Sequence, residues 1–239
     1  MIVRSAAQFS SRSAMQLADV RADASSDLSF LPPLPQPDYA LRKIEARRGF
    51  SVVFGLISVF VVLTHGVGLT AGDLPEAGWW FCFAMIYGEA AIATLCYLLM
   101  MLGDAGVVRR TPETCLPVPP EVAERLRAGA PVPETLRNIN SDDGTRTYCV
   151  RCFVWRPAGL QGRGRPHHCR VCQRCVLHFD HHCGVYGRCI AGDGVRNGNL
   201  RYFFTIIVMG YAGFFTMLAT CVAGLAFRWA GPDEAGSGG

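Results

Sequence analysis

Between Cys149 and Cys189 the chain places seven of its 11 cysteines and five of its six histidines, and their order limits how this stretch can fold. It runs Cys149-x2-Cys152, then His168-Cys169-x2-Cys172-x2-Cys175, then Asp180-His181-His182-Cys183, with Cys189 after five more residues. Neither a strand period nor a helix period is sustained here, and aliphatic residues are few. A small segment without an apolar core needs a metal to fold. Each Cys-x2-Cys sets two thiolates on one tight turn, which suits half of a zinc tetrahedron. Two such sites take eight ligands. Six cysteines and two histidines supply them, and Cys183 is left over beside His181, His182 and Asp180. A spare thiol next to an imidazole and a carboxylate is a candidate nucleophile. Spacing does not decide which ligands share a metal. A sequential and an interleaved pairing both close, and His178, His181 and His182 all stay open as ligands.

The rest of the chain is apolar in blocks. Charged residues are 18% of the total and hydrophobic residues 50%, against roughly 25% charged in an average soluble protein. The apolar residues gather at 50–70, 79–102 and 202–230, each about as long as the ~20 residues a helix needs to cross a bilayer. The expected fold class is therefore an α-helical integral membrane protein. Three transmembrane helices are expected, with a small zinc-stabilised domain at 149–199 between the second and third. Residues 1–49 form a largely disordered N-terminal region, 103–148 a linker and 231–239 a tail. Of 23 Lys and Arg, seven precede Phe50 and 15 lie between Leu102 and Tyr202. By the positive-inside rule the N-terminus and the cysteine-rich segment face the cytosol. In that reducing compartment, spaced Cys and His mean metal or catalysis rather than disulfides. The basic residues sit at a membrane face, so lipid headgroups or an acidic cofactor are the expected partners, and nucleic acid is not. One acidic residue breaks the apolar pattern. Glu89, midway along the second block, is expected to face the bundle or a substrate cavity, with His65 or Thr64 as candidate partners.

The series Cys149-x2-Cys152-x3-Arg156-Pro157, His168-Cys169-x2-Cys172-x2-Cys175-x4-Asp180-His181-His182-Cys183-x5-Cys189 resembles the cysteine-rich domain of the DHHC-type protein palmitoyltransferases. Asn199-x3-Phe203 and the order of the apolar blocks match that family as well. The resemblance implies two interleaved structural zinc ions, one on Cys149, Cys152, His168 and Cys175, the other on Cys169, Cys172, His182 and Cys189. It implies Cys183 as the acyl-accepting nucleophile, His181 as its base and Asp180 as the residue orienting His181. The implied reaction moves a palmitoyl group from palmitoyl-CoA through a thioester on Cys183 to cysteines of membrane-associated proteins. Arg165, Arg174 and Arg188 are candidates for the CoA phosphates. The implied location is an endomembrane (Golgi or ER) or the plasma membrane.

The chain departs from the family pattern in several places. Gly184-Val185 stands where Pro-Trp is usual, and Asp104-Ala105-Gly106 where Asp-Pro-Gly is usual. Gly159–Gly164 and Gly192–Gly198 read as insertions. Family members typically add a fourth transmembrane helix and a Thr-Thr-x-Glu motif, so the chain is read as truncated: a fragment, or a member inactive alone. Two other functions compete with acyl transfer. One is a zinc-stabilised membrane adaptor without catalysis. The other is a membrane-anchored ring-type ubiquitin ligase, which leaves no spare thiol beside Asp-His-His.

Overall fold

The structure, a computed structural model, describes residues 28–70, 75–133, 136–158, 164–192 and 198–230. The disorder expected of the first residues, part of the 71–78 connection, most of the two inserted stretches and the tail fall outside the described residues. In chain order the elements are helices α1 (Tyr39–Thr70), α2 (Glu76–Leu102), α3 (Pro112–Cys115) and α4 (Pro120–Arg127). Strands β1 (Ile139–Asn140), β2 (Arg146–Cys149), β3 (Val154–Pro157), β4 (His167–Cys169), β5 (Arg174–Val176), β6 (Phe179–Cys183) and β7 (Arg188–Ala191) follow, and helix α5 (Leu200–Ala230) ends the series. The chain divides into two compact units, one of Met1–Pro35 with Val108–Gly159 and one of Gln36–Val107 with Leu160–Gly239.

In the first unit, β1, β2 and β3 form an antiparallel sheet in that order. Its core is aromatic: Tyr148 is fully buried and meets the Trp155 ring edge-on at 5.1 Å. The Trp155 indole N–H donates to the Pro117 carbonyl at 2.7 Å. Arg110 donates to the carbonyls of Cys152, at 2.9 Å, and Pro32, at 2.6 Å, and lies over the Phe153 ring. These contacts fix the turn that carries Cys149 and Cys152.

In the second unit three helices, α1, α2 and α5, are long and apolar enough to cross a membrane. α5 packs against both others, most extensively against α2. Large apolar side chains such as Val62, Leu95, Phe215 and Leu225 are exposed, as lipid-facing residues of a bundle are. α1 has 32 residues and so runs about 48 Å at 1.5 Å per residue, well beyond the ~30 Å of a hydrocarbon core. It begins at Tyr39, ahead of the apolar block, with the Asp38 carboxylate capping it by accepting from the Leu41 N–H at 2.9 Å. Its first turns therefore project beyond the bilayer and meet the β6–β7 hairpin.

That meeting is close. The Arg42 side chain donates to the Gly187 carbonyl at 3.0 Å. A side-chain carbon at Gly49 would stand 2.5 Å from the Tyr186 ring. The exit from α2 is equally specified. Asp104 accepts from the N–H groups of Gly106 and Val107, at 2.9 and 3.0 Å, so its carboxylate makes the turn. Both terminal guanidinium nitrogens of Arg188 donate to carbonyls at the end of α2, those of Met101 and Gly103. Asn199, buried at the start of α5, accepts from the Ala191 N–H and donates to the Cys189 carbonyl, tying β7 to the last helix.

Gly187 is a position where the backbone leaves no choice. Its φ is +65°, and a Cβ there would overlap the Arg42 carbonyl oxygen and lie 3.1 Å from the Ala46 nitrogen. Gly144 has a similar φ of +68° but open space around it. Gly144→Ala should thus lose only a backbone term of about 1–2 kcal/mol, and Gly187→Ala distinctly more, because the hairpin must leave α1. Thermal inactivation midpoints in one detergent, compared for the two variants, check that order.

Candidate functional site

Each Cys-x2-Cys pair arises from a local turn. In Cys149-x2-Cys152 and in Cys169-x2-Cys172 the residue after the second cysteine, Phe153 or Gln173, has a left-handed backbone, φ +57° and +52°. Non-glycine residues rarely adopt it. Both turns accept that cost to bring two thiols to one side. In the β4–β5 hairpin His168 and Cys175 are directly opposed, with His168 Nδ1 4.0 Å from Cys175 Sγ. In the β6–β7 hairpin His182 and Cys189 are opposed in the same way.

Within the second unit, Cys169, Cys172, His182 and Cys189 form a Cys3His group that could hold a metal ion, with ligand atoms all within 4.8 Å of one another. His182 presents Nδ1, which is 3.4 Å from Cys169 Sγ, 3.5 Å from Cys172 Sγ and 3.9 Å from Cys189 Sγ. Hydrogen bonds from Cys172 and Cys189 hold the Cys169 thiol well below the ordinary thiol range, and the same bonds push Cys189 and Cys172 up. Crowded thiols that compete for one negative charge form a site that a cation relieves.

The other nitrogen of His182 identifies a residue that the sequence reading missed. Nε2 is 3.1 Å from Glu45 Oε2, and both side chains are largely buried. A carboxylate on the far nitrogen of a ligating imidazole fixes its tautomer and its aim. The signal was faint: Glu45 is the one acid among Arg42, Lys43, Arg47 and Arg48.

Strand alternation then separates the roles. β6 carries His182 toward the thiols, and His181 and Cys183, two apart, share the opposite face. A bulge between Phe179 and His181 inserts Asp180, and His181 Nδ1 lies 2.8 Å from Asp180 Oδ2. Asp180 and His181 are partly exposed, with side chains 54% and 40% accessible, while Cys183 is 7% exposed. Cys183 belongs to an apolar cluster with Tyr186, Val53, Tyr97, Met100 and Ile206. The His181 ring meets Phe203 edge-on at 5.3 Å. Tyr186, which was also missed, donates its N–H to the Cys183 carbonyl at 3.1 Å, and its ring stands edge-on to Tyr97. Burial pushes the Tyr186 phenol up to about 12. From Tyr186 a cavity of about 530 Å³ runs between α1, α2 and α5, lined among others by Val53, Phe60, Ile86, Ile206 and Phe214.

The three arginines expected at phosphates stand apart in character. Arg165 is exposed. Arg174 donates to the neighbouring Gln173 carbonyl at 2.7 Å. Arg188 is engaged at the end of α2, where burial lowers its pKa.

Residues 142–235 match the family model described as DHHC palmitoyltransferase. Over that stretch the chain is similar to the DHHC palmitoyltransferases. It is 36% identical over 80 residues to palmitoyltransferase PFA3 of Debaryomyces hansenii, a match covering 34% of this chain and 18% of that protein. It is 38% identical over 88 residues to palmitoyltransferase ERF2 of Eremothecium gossypii, covering 37% and 20%. Against palmitoyltransferase Hip14 of Drosophila melanogaster the identity is 30% over 174 residues, covering 62% and 24%. The matches thus span a quarter or less of each of these relatives. Within the family pattern, Gly184 follows the DHHC cysteine, and a side-chain carbon there would lie 3.3 Å from Glu45 Oε1. The Glu45–His182 contact therefore runs right beside Cys183. Replacing Glu45 by Ala should weaken metal retention about 10- to 100-fold, measured by chelator competition with the metal content followed directly. Glu45→Gln, which keeps a hydrogen-bonding group, should lose less.

Proposed function

We propose that this multi-pass membrane protein is a protein S-acyltransferase that carries a long-chain acyl group, palmitoyl in the first instance, on Cys183. The reading rests on one observation. Cys183 shares a strand face with the Asp180-paired His181 and sits in the apolar cluster that opens into the cavity, while His182 is turned the other way into a Cys3His group. Three thiolates and an imidazole suit zinc, which takes four such ligands at a closed structural site and leaves no open position for substrate. When bound, zinc would supply rigidity. The ligands proposed are Cys169, Cys172, His182 and Cys189 for one ion and Cys149, Cys152, His168 and Cys175 for the other.

The residues then divide the work. Asp180 accepts from His181 Nδ1–H and so leaves Nε2 to take the Cys183 proton. The Cys183 thiolate attacks the thioester carbonyl of acyl-CoA; its new S–C bond forms as the bond to the CoA sulfur breaks, and CoA leaves with the proton from His181. A cysteine thiol of a membrane-associated protein repeats the exchange on the Cys183 thioester, and His181 returns the proton to Cys183. The apolar cavity receives the chain, and the buried Tyr186 stays neutral at its mouth. The cation-rich flanks support a cytosolic placement of this centre, where acyl-CoA is available. Arg165 and Arg174 are the proposed contacts for CoA phosphates, and Arg188 has its terminal nitrogens held at the end of α2.

Incubation of the purified protein with labelled palmitoyl-CoA should give a hydroxylamine-sensitive label that Cys183→Ala abolishes. His181→Ala should slow labelling by about 10²–10⁴-fold, and Asp180→Asn by less. Equal labelling of wild type and Cys183→Ala would remove Cys183 from the reaction.

A further inference from the structure

The cavity between α1, α2 and α5 has apolar walls that carry two tyrosines, Tyr186 and Tyr211, and one carboxylic acid, Glu89. The sequence pointed to His65 or Thr64 as its partner, and the structure supplies neither. His65 meets the Val61 carbonyl and the Tyr87 hydroxyl. Glu89 Oε1 instead accepts from Thr216 Oγ1 at 2.8 Å. Glu89 is 8% exposed, and its Oε2 is buried without a hydrogen-bond partner among the described residues. Gly213, also in the cavity wall, stands beside that oxygen. A side-chain carbon at 213 would lie 3.6 Å from Oε2 and 3.1 Å from the Phe60 ring.

Depth makes this chemistry selective. Tyr186 lines the hairpin end of the cavity, and Tyr97 of α2 packs edge-on against it. Glu89 precedes Tyr97 by two helical turns, so it lies about 12 Å deeper. An extended acyl chain advances somewhat less than its ~1.5 Å bond length per carbon, so about ten carbons separate the thioester from the level of Glu89. A plain methylene chain passing that level would leave Oε2 buried and unpaired, which is unfavourable. A hydroxyl both donates and accepts, so it satisfies this oxygen whether the carboxyl holds a proton or not. A carbonyl matches only one of the two forms.

We propose, resting on the acyl-transfer reading above, that Glu89 selects acyl chains with a hydroxyl group in their distal half. The site therefore favours hydroxylated long-chain acyl-CoA over the unsubstituted donor of equal length. The step at Cys183 is unchanged, since the hydroxyl takes no part in it.

The test is a competition between 12-hydroxystearoyl-CoA and stearoyl-CoA for Cys183 of the purified protein in lipid nanodiscs, with the two thioesters separated by mass. Wild type should favour the hydroxylated chain about five- to tenfold, whereas 2-hydroxystearoyl-CoA, with its hydroxyl at the mouth, should gain nothing. Glu89→Leu should abolish the preference and Glu89→Gln keep part of it. Gly213→Ala, which covers Oε2 with a methyl group, should reduce it while retaining the carboxyl. Equilibrium binding of the same two donors to Cys183→Ala protein should give the same ratio without any chemistry. Equal use and equal binding of the two chains by wild type, or a preference that survives in Glu89→Leu, would overturn the role of Glu89. Absence of label at Cys183 with every donor would overturn acyl transfer instead, and the binding ratio would still decide whether Glu89 reads the chain.

Discussion

Neighbouring residues of an extended strand must point to opposite faces, and the centre of this protein depends on that rule. β6 turns His182 toward three thiols and, by the same geometry, turns Cys183 away from them toward the helices. Backbone direction turns the Cys183 thiol away from the Cys3His group that contains its neighbour His182. Glu45 reinforces the arrangement from α1, since an imidazole held on one nitrogen by a carboxylate has one aim left for the other. The bulge at Asp180 adds the last element by shifting the strand one residue, which brings the carboxylate to His181 without moving His181 from the face of Cys183.

Much of this was legible in the sequence because metal ligation has a strict spacing grammar. The Cys-x2-Cys pairs, the eight candidate ligands and the three apolar blocks follow from residue type and separation. The group Cys169, Cys172, His182 and Cys189, which could hold a metal ion, has the composition of one of the two sets that the family resemblance implied. The hairpins themselves were not legible. Strands of two to five residues are too short for periodicity to register, and their pairing follows from the ligand turns rather than from an apolar face. Glu45 stayed hidden because its partner is 137 residues away in the chain. Its own neighbourhood reads as a basic membrane flank. Glu89 was visible as an anomaly, but its hydrogen-bond partner sits on a helix far along the chain. The helix-end role of Arg188 was equally silent, since a cation near cysteines looks the same whether it faces an anion or a carbonyl.

The helices contribute more than an anchor. α1 is long enough to leave the hydrocarbon and continue as a support for the β6–β7 hairpin, while α2 ends where Arg188 can bind its last carbonyls. Asn199 joins β7 to the start of α5 with two buried hydrogen bonds. All three spans therefore terminate on the same hairpin, each by a different chemistry: a packed glycine and a carboxylate, a guanidinium, and an amide. The apolar space between them begins at Tyr186, so the β6–β7 hairpin and the cavity share one wall.

The projecting turns of α1 carry a mechanical consequence. Arg42, Glu45, Gly49 and the backbone facing Gly187 touch the hairpin within about two turns of one stiff rod, so hairpin and rod move as one body. The altitude of the cysteine above the lipid is then set by how α1 floats in the membrane. In a thinner leaflet, where a long span leans to keep its apolar stretch covered, the whole of β6 would ride down with it.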